Sequence, residues 1–287
     1  MDIASLNAFL AVAELESFSL AGQRLHLTQP AVSKRIALLE QQLNAKLFDR
    51  IGRHFVITEA GKALLPRAKT ILQAVEDSTN EIANLAGKID GPLRVGTSHH
   101  IGLHRLPTIL STFTRTFPRV DLKLEFQSSE DVCAQTLAGE LDLGVITLPL
   151  AKDPTLHTIP LWEDPLQVVV GDRFTEQRSF TINQLADLPA ILPERGTTTR
   201  EIIEHAFHVN GCTINTAIST NYLETIKMLI SVGMGWGVLP SIMISQEVKK
   251  IVVKGLVTKR TLGVVYNRKR TLPNAANAML DLLQATQ

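Results

Sequence analysis

Residues 19–35 read S-L-A-G-Q-R-L-H-L-T-Q-P-A-V-S-K-R: two short helical patterns joined by a tight connection, with basic and amide side chains on the second. Thr28 carries the hydroxyl of an N-cap, and Pro30 then falls in the first turn, where a missing N–H leaves no bond unmade. Beyond it Val32, Ile36, Leu39 and Leu43 recur at helical spacing and form one apolar stripe. Pro30, Lys34, Ala37 and Gln41 stand opposite that stripe, with Gln29 and Ser33 on a flank. Amide, hydroxyl and ammonium groups on the outer face of the second of two linked helices suit base edges and phosphates in a major groove.

On the N-terminal side, Ile3, Leu6, Phe9, Leu10 and Ala13 predict an amphipathic helix over residues 3–15. Ser19 is expected to cap a helix over about residues 20–25 that turns Leu20, Ala21 and Leu25 inward, with Gly22 permitting close packing. On the C-terminal side, L-F-D-R-I-G-R-H-F-V-I-T (residues 47–58) places Gly52 between two strand-like pieces, and Arg50 and Arg53 flank the turn. A hairpin carrying arginines beside a recognition helix is a wing that meets backbone phosphates or the minor groove. Charge supports the same reading. Residues 24–69 hold nine Lys or Arg against three Asp or Glu, although the whole chain carries only +1. A positive face concentrated in one segment is the footprint of phosphate binding.

From Thr58 onward, Leu64, Ala68, Ile71, Val75, Ser78, Ile82 and Leu85 follow a heptad seam, which requires a partner helix to cover it. Pro66 removes one helical hydrogen bond and predicts a bend near residues 62–66. G-K-I-D-G-P (residues 87–92) ends the helix and forms a hinge. The pattern then changes to short apolar runs alternating with helices: L-R-V-G-T, a helix near 101–115, V-D-L-K-L-E-F, a helix near 129–138, and L-D-L-G-V-I. A second such series starts at residues 166–170, and T-L-G-V-V-Y with the last helix returns to the first half. The chain therefore reads as a multidomain α/β protein. Residues 1–58 form a winged helix-turn-helix, 59–86 a linker helix that dimerises, 87–91 a hinge, and 92–287 a two-lobed α/β domain. Lobe I takes residues 92–161 and 266–287, and lobe II residues 162–265.

Polar groups just after the strands converge on the cleft between such lobes: Thr97, Ser98 and His100, Ser128 and Ser129, and Thr147, with Thr198 in G-T-T-T-R opening a helix of the other lobe. Hydroxyls and free N–H groups at helix starts favour a small anion such as a carboxylate or sulfate. Rival chemistry is poorly supported. His100 and His104 have a spacing that can hold zinc, but no glutamate or third ligand stands near them in the sequence, and no G-x-S-x-G elbow surrounds Ser98. No catalytic residue, metal or cofactor is expected. His205 and His208 read as surface or cap residues, and G-M-G-W-G-V-L-P (residues 233–240) as a helix-to-strand turn in which Trp236 packs. Cys133 and Cys212 are too far apart for a disulfide framework. No apolar run nears the roughly 20 residues of a membrane span, and M-D-I-A-S-L-N lacks the order of a signal peptide, so a soluble cytoplasmic protein is expected.

The combination F-x-x-V-A-E-x-x-S-F-S-x-A-G-x-x-L-H-L-T-Q-P-A-V-S-K-R-I-x-x-L-E-x-x-L, then L-F-D-R and T-E-A-G, over residues 6–62, closely resembles the DNA-binding domain of LysR-type transcriptional regulators. The resemblance implies that Gln29, Pro30, Ser33 and Lys34 face the bases, and that Arg35, Arg50 and Arg53 anchor phosphates. It implies a periplasmic-binding-protein-like effector domain, with Ser98, His100, Ser128, Thr147 and Thr198 matching its site by position. Double-stranded promoter DNA, a small-molecule effector and a homodimer that assembles into a homotetramer are the implied partners, and RNA polymerase is a further one the resemblance allows. The competing reading is a solute-binding protein or enzyme carrying a DNA-binding-like head.

Overall fold

The computed structural model describes residues 1–51, 54–172, 179–254, 256 and 258–286. It divides into two compact units, Met1–Ala83 and Asn84–Gln287.

In the first unit α1 (Ile3–Leu15), α2 (Phe18–Arg24) and α3 (Gln29–Leu43) are followed by the antiparallel strands β1 (Phe48–Ile51) and β2 (His54–Ile57) and by α4 (Glu59–Leu85). The cap of α2 is Ser17, whose hydroxyl accepts from the Leu20 N–H, so the helix begins two residues before the expected Ser19. Burial of Phe18 decides it. Starting the helix there sends that ring to the core, where it packs on Phe55 at 4.5 Å and Phe48 at 5.8 Å and joins hairpin to helices. Leu20, expected inside, is about half exposed.

Thr28 caps α3 as its sequence dictates, with its hydroxyl accepting from the Ala31 N–H. Val32, Ile36 and Leu39 are buried, but Leu43 is 40% exposed: the stripe ends a turn early. Glu40 takes the interior place instead. Its carboxylate accepts from the backbone N–H groups of Leu47 and Phe48 and pairs with Lys46, tying α3 to the first strand of the hairpin.

Helix α4 runs unbroken through Pro66. Its seam divides in two. Leu64, Ala68 and Ile71 pack into the core of their own unit, while Val75, Ile82 and Leu85 stay exposed.

The second unit is built on one large sheet. Its first strands are β3 (Gly91–Thr97), β4 (Val120–Phe126) and β5 (Leu143–Thr147), parallel to one another and connected by α5 (His99–His104), α6 (Pro107–Thr116) and α7 (Ser129–Ala138). One helix was expected near 101–115; two form because Pro107 lacks the N–H that would continue the first and opens the second as its N1 residue. Two long strands, β6 (Leu156–Val170) and, much later, β13 (Thr258–Asn267), then pair antiparallel along the whole of β13.

Between them the chain builds lobe II: β7 (Ser179–Phe180), α8 (Ile182–Asp187), β8 (Ala190–Leu192), α9 (Thr198–His208), β9 (Thr216–Ser219), α10 (Leu223–Ser231), β10 (Trp236–Pro240), β11 (Lys249–Lys250) and β12 (Val252–Val253). The sheet order is β4-β3-β5-β13-β6-β10-β8-β9. Helix α11 (Asn274–Gln284) closes lobe I. Leu262 and Val264 pack in the lobe I core, so the chain re-enters that lobe along β13, earlier than residue 266. Lobe II has its own cores, and in one of them Trp236 stacks on Phe207 at 5.4 Å and donates its indole N–H to the Leu188 carbonyl.

Candidate nucleic-acid interface and interlobe cavity

The connection between α2 and α3 is tight because three residues make it so. Leu27 donates its N–H to the Gly22 carbonyl, and a Cβ on Gly22 would lie 2.8 Å from the Leu27 carbonyl oxygen. His26 supplies the reversal at a φ of 55°. The start of α3 is thereby presented to solvent. Gln29, Pro30 and Lys34 are exposed, and Ser33 and Arg35 are half-buried. The Gln29 amide donates to the Ser33 hydroxyl at 2.8 Å, so this pair is already ordered on the helix surface. Arg50 sits on β1, paired in register with Phe55, and its side chain lies outside the described residues, as does Arg53 altogether.

Between the lobes of the second unit lies a cavity of about 390 Å³. Ser98, His100, Ser128, Ser129 and Thr147 line it. The Ser129 hydroxyl accepts from the Thr147 N–H, which holds the ends of β5 and α7 together. Thr97 and Thr198 do not line it. Thr97 is fully buried and turns its hydroxyl to the Val145 carbonyl, and at the start of α9 it is Thr197 and Thr199 that reach the wall. The Thr198 N–H, the expected anion donor, is taken by the Glu130 carboxylate from lobe I at 2.8 Å.

The sequence reading missed Arg260. It is buried on β13, donates from Nε to Asp164 and from Nη1 to the Thr199 hydroxyl at 2.8 Å each, and leaves Nη2 with no hydrogen-bond partner. Arg260 gave no sequence signal because it lies inside β13, near the start of the strand, whereas the hydroxyl candidates follow strand ends. Two further unseen contributors are aromatic: His99 packs between Phe126 and Tyr222, each 5.2 Å away, at the cavity wall. Arg200, which closes G-T-T-T-R, is not a ligand candidate. It is buried and holds the loop by donating to the Pro193 carbonyl and the Thr216 hydroxyl.

A helix-turn-helix with a wing and a two-lobed α/β unit with a polar interlobe cavity thus occur in one chain. Residues 3–62 match the family described as bacterial regulatory helix-turn-helix protein, lysR family, and residues 86–287 match the LysR substrate binding domain. The chain belongs to the LysR family of transcriptional regulators. This regulator is 32% identical over 285 residues to the HTH-type transcriptional regulator CbbR of Rhodospirillum rubrum, covering 98% of this chain and 95% of that one. Among solved structures, full-length OxyR from Pseudomonas aeruginosa superposes with a TM-score of 0.73 at 25% identity, over 99% of this chain and 95% of that one. Full-length CbnR complexed with its target DNA shares the fold, with a TM-score of 0.68 at 20% identity over the full length of both chains. The family regulates transcription and is not enzymatic. No described helix is long and apolar enough to cross a membrane.

The cavity gives the regulator a specific acid sensitivity. Burial, with the charges of Arg260, His104 and Arg105 beside it, pushes the His100 imidazole down from 6.5 to about 3. Between those two values the unfolded chain holds a proton on His100 that the folded chain refuses. Stability is therefore lost as pH falls from about 6.5 towards 3, by at most about 1.4 kcal/mol per pH unit from this group, and is fully present above it. Urea midpoints measured from pH 7 to 4 should fall more steeply for the wild type than for His100→Asn; parallel slopes would refute the assignment.

Proposed function

We propose that this regulator reads promoter DNA through Gln29, Pro30, Ser33 and Lys34, with Arg35, Arg50 and Arg53 on phosphates, and that a small anionic effector bound between the lobes modulates it. The observation that carries the effector reading is the Nη2 of Arg260: a shielded cationic donor without a partner, on a cavity-lining residue. The acidic groups along the same wall pull the other way, but each already has a partner. Glu130 accepts from the Thr198 N–H, Asp131 from the Ser128 hydroxyl, and Glu194 from the Asn221 amide. The donor still to be satisfied on this wall is Nη2 of Arg260, and an oxyanion head that also reaches Thr199 meets that demand.

Exposure of Val75, Ile82 and Leu85 along α4 supports homodimerisation through this helix, and tetramer assembly, contact with RNA polymerase and a cytoplasmic site of action complete the proposal.

Two experiments test it. In a thermal-shift screen of small carboxylates and sulfur oxyanions, at least one is expected to stabilise the wild type and to lose that effect in Arg260→Lys, whose single ammonium cannot hold Asp164, Thr199 and a ligand in the same fork geometry. A screen in which only cationic or neutral compounds stabilise it sinks the anion reading. For the DNA half, mobility shifts against the upstream region of its own gene are expected to separate two variants. Lys34→Ala should change sequence preference, by about 1–3 kcal/mol at the affected base. Arg35→Ala should weaken all sequences alike and reduce the salt slope by about one. Uniform weakening by both variants removes the base-reading role of Lys34.

A further inference from the structure

We propose that His100, His104 and Glu224 form a site for a zinc-class divalent transition metal that bridges the two lobes. His100 and His104 are one helical turn apart on α5 of lobe I, with ring centroids 5.0 Å apart. Glu224 comes from the first turn of α10 in lobe II, with its Oε1 3.4 Å from His104 Nε2. One donor atom from each of the three lies within 4.8 Å of the others. Tetrahedral zinc, with bonds of about 2.0–2.1 Å, needs its ligand atoms roughly 3.4 Å apart. The Glu224–His104 pair already has that separation, and small side-chain rotations bring in His100.

Proximity alone would be matched by a simple histidine–glutamate ion pair. Two further observations point to a ligand. His100 is only 4% exposed, yet neither of its ring nitrogens has a hydrogen-bond partner, and the Oε1 of Glu224 is likewise shielded from water and accepts no hydrogen bond. An ion pair between His104 and Glu224 leaves His100 unexplained, whereas a metal takes one donor atom from each of the three.

The surrounding charges decide how tight such a site can be. Asp164 lies 3.8 Å from His100 Nε2 but is shared with Arg260 and Arg105, so the guanidiniums are in excess. These cations oppose a further one, so micromolar rather than tighter affinity is expected. Two imidazoles and one carboxylate select zinc and its neighbours over magnesium or calcium. Access is available from outside, because His104 and Glu224 line a surface groove with Lys227, Ser245 and Glu247, in which Lys227 is already paired with Glu247. A metal held there from both lobes would favour whichever lobe arrangement brings α5 and α10 together, independently of what occupies the cavity.

Titration of the full-length, chelator-treated protein with Co2+ tests this. One equivalent of cobalt with the intense visible bands of tetrahedral coordination is expected, displaced stoichiometrically by Zn2+. His104→Ala and Glu224→Gln, both at partly exposed positions and checked for folding by circular dichroism, should each weaken binding at least tenfold. Absence of those bands in the wild type, or binding equally strong in both variants, overturns the proposal. No effector candidate is present in this titration, so its outcome is separate from that of the anion screen.

Discussion

Asp164→Ala is expected to destabilise the second unit by about 3–5 kcal/mol, the range typical of a buried charge left without its partner. Asp164 is 1% exposed and is the carboxylate against which Arg260 and Arg105 are both set, at 2.8 and 3.6 Å. Burial pushes the Arg260 guanidinium down from its usual range, and Asp164 is the principal group holding it up. Removing the carboxylate leaves the buried Arg260 and its neighbour Arg105 without their shared counter-charge. Asp164→Asn keeps an acceptor of the same shape without the charge and should fall between the wild type and alanine. Urea denaturation followed by circular dichroism gives the ranking; a loss below about 1 kcal/mol for alanine would mean that water already solvates Arg260.

The second large effect is expected on DNA binding. Gly22→Val should reduce affinity for any duplex by more than tenfold while leaving the second unit intact. A Cβ at this position meets the Leu27 carbonyl at 2.8 Å and the Gln29 nitrogen at 3.4 Å, both backbone atoms that cannot rotate away. Valine adds two methyl groups to that contact, and overpacking of this kind costs about 1–3 kcal/mol or displaces the chain. The part displaced is the start of α3, so the side chains proposed to face the bases move together. Gly22→Ala is milder, since the gain in helix propensity of roughly 1 kcal/mol offsets part of the clash. Fluorescence anisotropy with labelled duplex at low salt measures both; valine affinity within threefold of wild type would show that the turn can absorb the strain.

Features that depend on neighbours in sequence were legible from it. The cap at Thr28, the stripe of Val32, Ile36 and Leu39 and the close approach at Gly22 are all local, and the structure has them. Where two local solutions competed, tertiary packing chose. Ser17 and Ser19 are equally good caps, and only the place of Phe18 against Phe48 and Phe55 selects Ser17. Leu43 and Glu40 show the same limit from opposite sides: periodicity puts the leucine inside, whereas the unpaired N–H groups of Leu47 and Phe48 call for the carboxylate.

At the cavity, the hydroxyls that follow strands could be found by position, because a strand end is itself a sequence feature. Arg260 could not, nor could Glu224 beside His104, since each is brought in by a fold that returns over a long stretch of chain, 96 residues from Asp164 to Arg260 and 120 from His104 to Glu224. Thr198 illustrates a subtler gap. Its helix start was recognised, but the occupant, Glu130, belongs to the other lobe.

The insertion of lobe II between β6 and β13 also dictates the order in which the chain can complete itself during synthesis. Strand β5, buried at all five residues, needs β13 along one edge, and about 110 residues separate the two. A nascent chain therefore carries an unfinished first lobe, with the apolar edge of β5 open, until the whole second lobe has been made and β13 emerges from the ribosome. Closure of so long a loop is slow, and an unpaired strand edge is the species that aggregates. Lobe II, whose own strands and helices lie almost entirely between β6 and β13, is positioned to fold first and to deliver β13 to its place, so substitutions that slow lobe II should lower the yield of the entire protein before they alter any property of the finished one.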